Sequence, residues 1–185
     1  MILMNHIVRE GHPSLRKQAV EVVFPLSTEE KQLTEDLLQY LINSHNPEFV
    51  EKYKLRAGIG LAAPQVNVSK RIFALHITDE EEEPISFIAI NPKIVSHSVE
   101  KTFLSSGEGC LSVDRDVEGY VPRYKRITIE AFDPNGSAFK KRLKGVAAIA
   151  FQHELDHLNG IMFYDLIDKN DPYKEIPGAT PLERN

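Results

Sequence analysis

Residues 145–159, GVAAIAFQHELDHLN, constrain this chain more than any other stretch. Val146, Ile149, Ala150, His153 and His157 recur at three- and four-residue steps, which sets them on one stripe of a helix. The stripe is apolar and must face a core, and it carries two imidazoles inward with it. The helix is expected to begin near Gly145 and to close at Asn159-Gly160, because glycine accepts the left-handed conformation that ends helices. Any fold for the chain must therefore satisfy two imidazoles on a buried helix face.

Two histidines four residues apart project side by side, so both can reach one cation, with Glu154 between them. The plain alternative is a pair of satisfied core histidines. A hydrolytic metal site normally uses three protein ligands and leaves one position open. In the metzincin pattern the third ligand would fall at Phe163, which cannot ligate, although Gly160 fits. A thermolysin-like site would use a downstream carboxylate, for which Asp165, Asp168 and Glu175 are available in a short, proline-punctuated tail. Upstream, SSGEGCLSV (residues 105–113) holds Cys110, the one thiol of the chain, beside glycines that let backbone approach a ligand closely. An isolated cysteine is also a small buried hydrophobe, but its surroundings favour Cys110 as the third ligand. One thiolate and two neutral imidazoles leave a divalent ion with net positive charge and an open position. Glu154 is then placed to act as a base on water.

The single cysteine excludes an intramolecular disulfide and fits a reducing compartment. With no apolar window long enough to span a membrane and no signal-like N-terminus, the chain reads as cytoplasmic. Its 185 residues suit one domain, 1–185. A net charge of −5 argues against a general nucleic-acid binder. The densest basic stretch, FKKRLKG (139–145), reads as a solvated strand face, and DEEEEP (79–84) as an exposed turn.

Pro13 suits the start of a short helix through about Ala19. Ser27 and Glu30 form a capping box before an amphipathic helix with Leu33, Leu37, Tyr40 and Leu41 on one face. Strand composition marks residues 70–78, 85–90 and 93–99, and DPNG (133–136) suits a hairpin turn after RITIEAF. Helices at both ends with strands between them predict an α+β fold.

RAGIGLAAPQV (56–66) matches the letters of a dinucleotide fingerprint through Gly58, Gly60 and Ala63. No buried strand precedes it, however, and Pro64 would fall inside the new helix. Gln65 is what a mere tight loop leaves unexplained, since a primary amide can donate to an oxyanion without carrying charge.

In order along the chain, GIGLAAPQ, EGCLS and QHELDH resemble the three motifs of the peptide deformylase family, over about residues 9–168. The insertion around NPEFVEKYKLRAG and the non-helical tail IPGATPLERN look like the subclass common in Gram-positive bacteria. The resemblance implies a single catalytic domain in which a mixed, mainly antiparallel sheet packs around the C-terminal metal-binding helix. It implies that Cys110, His153 and His157 bind one divalent ion, natively Fe(II), with Zn, Ni or Co as substitutes, and that Glu154 is the general acid/base. Gln65 and the Leu111 N–H would stabilise the oxyanion. Ile59, Gly60, Val146, Ile149 and Ala150 would line a methionine pocket, with Glu108 and Gly109 also in the substrate set. Glu108, Arg123 and Asp156 look like a charge cluster behind the ligands. The implied reaction is removal of formyl from N-terminal formylmethionine of nascent peptides by a monomer, with a transient ribosome contact and neither membrane nor sequence-specific nucleic-acid binding. The competing readings are a His-Glu-x-x-His peptidase and a non-catalytic metal-binding module.

Overall fold

The computed structural model describes residues 1–78 and 84–183. Among them the longest helices are α1 (Thr28–Asn43) and α3 (Gly145–Leu158), with a short α2 (Pro47–Tyr53). Strands β1 (Gly60–Ala62), β2 (Ile72–Ile77), β3 (Ile85–His97), β6 (Arg126–Phe132) and β7 (Ala138–Lys144) form one sheet in the order β1-β2-β3-β6-β7, and every pairing in it is antiparallel. A second sheet sets β4 (Lys101–Leu104) between β5 (Arg123–Tyr124) and β8 (Ala179–Leu182), the last of which runs parallel to β4. This is the expected α+β class.

The alternation of β2 decides how the layers stack. Phe73, Leu75 and Ile77 point to one side, where they meet Ala148, Phe151 and Leu158 of α3, with Phe73 and Phe151 edge to face at 5.0 Å. Ile72 and Ala74 point to the other side, against Leu37, Tyr40 and Leu41 of α1. With helices on both faces, β2 is buried from Ile72 to Leu75 and again at Ile77, and only His76 is half-buried. A strand spaces side chains of opposite direction one residue apart, so one register fixes both helices.

Helix α1 begins as expected: the Ser27 hydroxyl accepts from the Glu30 N–H, and the Glu30 carboxylate accepts from the Ser27 N–H. The DPNG hairpin also holds, with Asp133 Oδ1 accepting from the N–H groups of Asn135 and Ser137. The basic stretch is the exposed side of β7, where Lys140 pairs with Glu130 across the ladder. The acidic segment 79–83 lies outside the described residues.

Two elements differ from expectation. Residues 85–90 and 93–99 are one bulged strand through His97, not two. Pro92 has no N–H to give β6, and the ladder absorbs it by a register shift around Asn91, whose amide binds both the N–H and the carbonyl of Val22. The helix expected from Pro13 to Ala19 is a single 3-10 turn, Pro13–Arg16. Beyond it the chain is held extended, as Ala19 donates to the Leu158 carbonyl and Val20 bridges to Lys70.

Candidate metal centre and its cleft

Helix α3 delivers His153 and His157 to the core as its spacing requires, with ring centroids 5.0 Å apart. Gly160, at φ +73°, ends the helix where a Cβ would lie 2.7 Å from the Arg16 carbonyl oxygen. Cys110 arrives from the loop after β4 and is buried in a small cluster with Leu15, Val113, Met162 and Phe163. Its Sγ lies 3.3 Å from His157 Nε2. One ligand atom from each of Cys110, His153 and His157 falls within 4.8 Å of the others. Bonds of ~2.3 Å from sulfur and ~2.0–2.1 Å from nitrogen in a tetrahedron put such atoms ~3.5 Å apart, so the donor set fits one divalent ion. Among the described residues no other His, Cys, Asp or Glu group meets that test. Asp165 is paired with Arg16 and Asp168 with Lys174, and neither joins the cluster. Phe163, at the metzincin ligand position, instead stacks on the His153 ring.

Behind the ligands lies a buried charge network. Arg123, 3% exposed, grips both oxygens of Glu108 at 2.8 Å and reaches Asp156 at 2.5 Å. Glu108 Oε1 in turn accepts from His153 Nδ1 at 2.8 Å, which leaves Nε2 as that ring's ligand atom. Burial alone would raise the Glu108 pKa, but the Arg123 charge and hydrogen bonds from Arg123 and His153 outweigh it and hold the carboxyl at about 2. The two imidazoles are pushed apart. Burial disfavours protonated His153, yet hydrogen bonds to Cys110 and Glu108 leave its pKa well above the ordinary value. For His157, burial and then the neighbouring His153 and Arg123 charges drive it well down.

Glu154 is 4% exposed, and burial raises its carboxyl to about 7. Among the described residues its Oε2 has no hydrogen-bond partner, a costly state for a buried oxygen that the chemistry of the site must account for. Gly60 makes this approach possible, because a Cβ there would stand 2.3 Å from Glu154 Oε1. Gln65 sits on the 3-10 turn Ala63–Val66, with Oε1 accepting from the Ala62 N–H at 2.9 Å and Nε2 donating to Ser112 Oγ at 3.1 Å. That turn, with Pro64 inside it, takes the place of the helix a dinucleotide motif would need. The Leu111 N–H has no intramolecular acceptor among the described residues.

These groups open on one cleft of about 200 Å³. Ile59, Gly60, Val146, Ile149 and Ala150 line its apolar side, and Glu108, Gly109, Cys110, Leu111, Gln65, His153 and Glu154 also contribute. Every residue expected at the site is there or, as His157, Arg123 and Asp156, directly behind it. Glu108 faces the cleft, but its carboxylate is committed to Arg123 and His153. Sequence reasoning missed Leu104, Arg56 and Ser112. Leu104 ends β4, and β8 steadies it from the other side, since Ser105 N–H and hydroxyl both donate to the Leu182 carbonyl. Arg56 donates to the carbonyls of Cys110 and Val113 and so braces the ligand loop. Nothing in the sequence marked Leu104, whereas Arg56 and Ser112 each stood in a quoted stretch without a role.

A cysteine sulfur and an imidazole lining one cleft, a second imidazole directly behind them and a buried carboxylate beside them define a metal-dependent hydrolase. The comparisons sharpen this class. The model of the polypeptide deformylase family matches residues 4–173. Peptide deformylase 2 of Bacillus anthracis is 55% identical over 184 residues, 100% of both chains, and peptide deformylase of Listeria monocytogenes is 59% identical over 172 residues, 93% of this chain and 94% of that one. The crystal structure of peptide deformylase from Thermotoga maritima superposes with a TM-score of 0.67 at 34% identity, covering 88% of this chain and 96% of that one. The chain belongs to the polypeptide deformylase family.

Proposed function

We propose that the chain hydrolyses the formamide of N-terminal formylmethionine on newly made proteins, releasing formate. The observation that carries this reading is the meeting of Cys110, His153 and His157 beside Glu154, at a cleft that Ile59, Val146, Ile149 and Ala150 also line. Those three residues would hold one divalent ion, Fe(II) as the native metal with Zn, Ni or Co as substitutes. When bound, the ion supplies Lewis acidity, polarising a carbonyl oxygen and acidifying water.

The chain's own groups do the rest. Ile59, Gly60, Val146, Ile149 and Ala150 receive the methionine side chain, and Gly109 lines the same cleft. Glu154 takes the proton of the attacking water as its oxygen bonds to the formyl carbon. Gln65 Nε2 and the Leu111 N–H donate to the oxyanion that forms, which is worth about two to three decades in rate for each such donor. As the C–N bond breaks, Glu154 passes the proton to the departing amine, and formate leaves. Glu108, held by Arg123, keeps His153 in one tautomer and orientation throughout. The enzyme would act as a cytoplasmic monomer, meeting its substrates near the ribosome as they emerge.

The test is formate release from a formyl-Met tripeptide, with and without chelator, alongside metal analysis of anaerobically purified protein. Stoichiometric metal and chelator-sensitive formate release are expected. Internal cleavage of an acetylated peptide without formate release would transfer the site to a peptidase, and metal-replete protein inert on both would leave a binding module.

A further inference from the structure

We propose that Ser112 is a positioning residue for this hydrolysis. Its buried hydroxyl accepts one N–H of the Gln65 amide and thereby aims the other at the oxyanion. The inference rests on the reading of Gln65 as an oxyanion donor.

A primary amide has an acceptor end and a donor end of nearly the same shape, so its partners must impose its orientation. Gln65 is 1% exposed, so its direction is set by the protein groups around it. The Ala62 N–H, at 2.9 Å, can face only the acceptor end, which settles which atom is Nε2. Two N–H groups remain to be placed. Ser112 Oγ, on a residue with no exposure at all, takes one at 3.1 Å. The other has a single long contact, 3.5 Å to Cys110 Sγ, which puts it over the ligand cluster and leaves it available to a stronger acceptor arriving there.

Ser112 itself cannot drift. Its N–H donates to Cys110 Sγ at 3.4 Å, and its carbonyl accepts from the Glu10 N–H at 2.8 Å. One residue thus ties the amide's direction to the position of the sulfur. With alanine at 112, a buried Gln65 N–H loses its acceptor, and the bond that keeps the other N–H over the ligand cluster is lost.

The experiment is a double-mutant cycle on formyl-Met peptide with Ser112→Ala, Gln65→Ala and the double variant, with metal content measured for each. Beside it, the Gln65 side-chain amide is followed by NMR in the diamagnetic zinc-loaded protein. Ser112→Ala should keep one metal per chain and an unchanged KM, and lose about 10- to 100-fold in kcat, part of the two to three decades a missing oxyanion donor costs. In the Gln65→Ala background the same change should cost nothing further, and the Gln65 amide protons should shift and lose protection from exchange. An equal loss of kcat in both backgrounds, an unchanged kcat, or loss of metal in Ser112→Ala would each overturn the role. Full kcat in Gln65→Ala would instead overturn the oxyanion assignment, and the positioning role would fall with it.

Discussion

Gly60 faces the reactive carboxylate, and a single methyl group there tests whether that carboxylate sits where the chemistry needs it. Gly60 pairs with Leu75 in β1 and does not occupy the left-handed region, so alanine meets no backbone penalty. The cost is steric. A Cβ at position 60 would lie 2.3 Å from Glu154 Oε1 and 2.7 Å from Cδ and Cγ, where real Cβ atoms essentially never approach below 3.0 Å. Glu154 is buried and cannot swing into solvent, so its carboxylate must move by about 0.7 Å or more. Misplacing a catalytic group by ~1 Å costs on the order of 10²-fold. Gly60→Ala should therefore lose about 10- to 100-fold in kcat/KM for formyl-Met peptide, ~1.4–2.7 kcal/mol of barrier. The melting temperature and metal content should change little. Activity of Gly60→Ala within twofold of wild type would refute the placement of Glu154, and a loss explained by missing metal would refute the steric argument.

Arg123→Leu strands the Glu108 and Asp156 carboxylates in the interior, at ~3–5 kcal/mol for an uncompensated buried charge. That is a fall of roughly 6–20 °C in melting temperature for a chain of this size, read by calorimetry; an unchanged melting point would show that the network contributes no stability. Cys110→Ser replaces a soft thiolate with a hard hydroxyl and should lower metal occupancy while leaving the circular dichroism intact; full occupancy would remove the sulfur from the site. Glu108 has its pKa depressed from 4.5 to about 2 in the folded chain, so the stability it contributes is complete above pH 4.5 and drains away as pH falls toward 2. The melting temperature should drop through that window, and Glu108→Gln should drop less steeply; parallel curves would assign the acid transition to other carboxylates.

Much of the fold was legible because its signals are local. The Ser27-Glu30 cap, the DPNG turn and the Asn159-Gly160 stop each act over four residues, and all three appear where the sequence places them. The misread segments are those whose conformation is decided at a distance. Nothing near Asn91-Pro92 announces that Val22, 69 residues away, offers both its N–H and its carbonyl to the Asn91 amide and so makes a bulge cheaper than a strand break. The stretch after Pro13 has helical composition, yet its backbone groups find partners at Ser69, Arg71 and Leu158, and extension wins.

For the site the division runs between residues that carry the chemistry and residues that hold them. Ligand types are few, so a lone thiol and a His-Glu-x-x-His helix narrow the choice before any coordinates exist. The charge network was suggested only by resemblance, since Arg123 stands 15 residues from Glu108 and 33 from Asp156 and looks like any surface charge until it is found 3% exposed between them. Ser112 is a sharper case. Serine is common in loops, and only the burial of Gln65 makes its hydroxyl a specific acceptor for that amide beside the sulfur. Burial converts an ordinary residue into a specific one: in water each of these groups would have many partners, whereas here each has one or two, and the loss of one reorients the next.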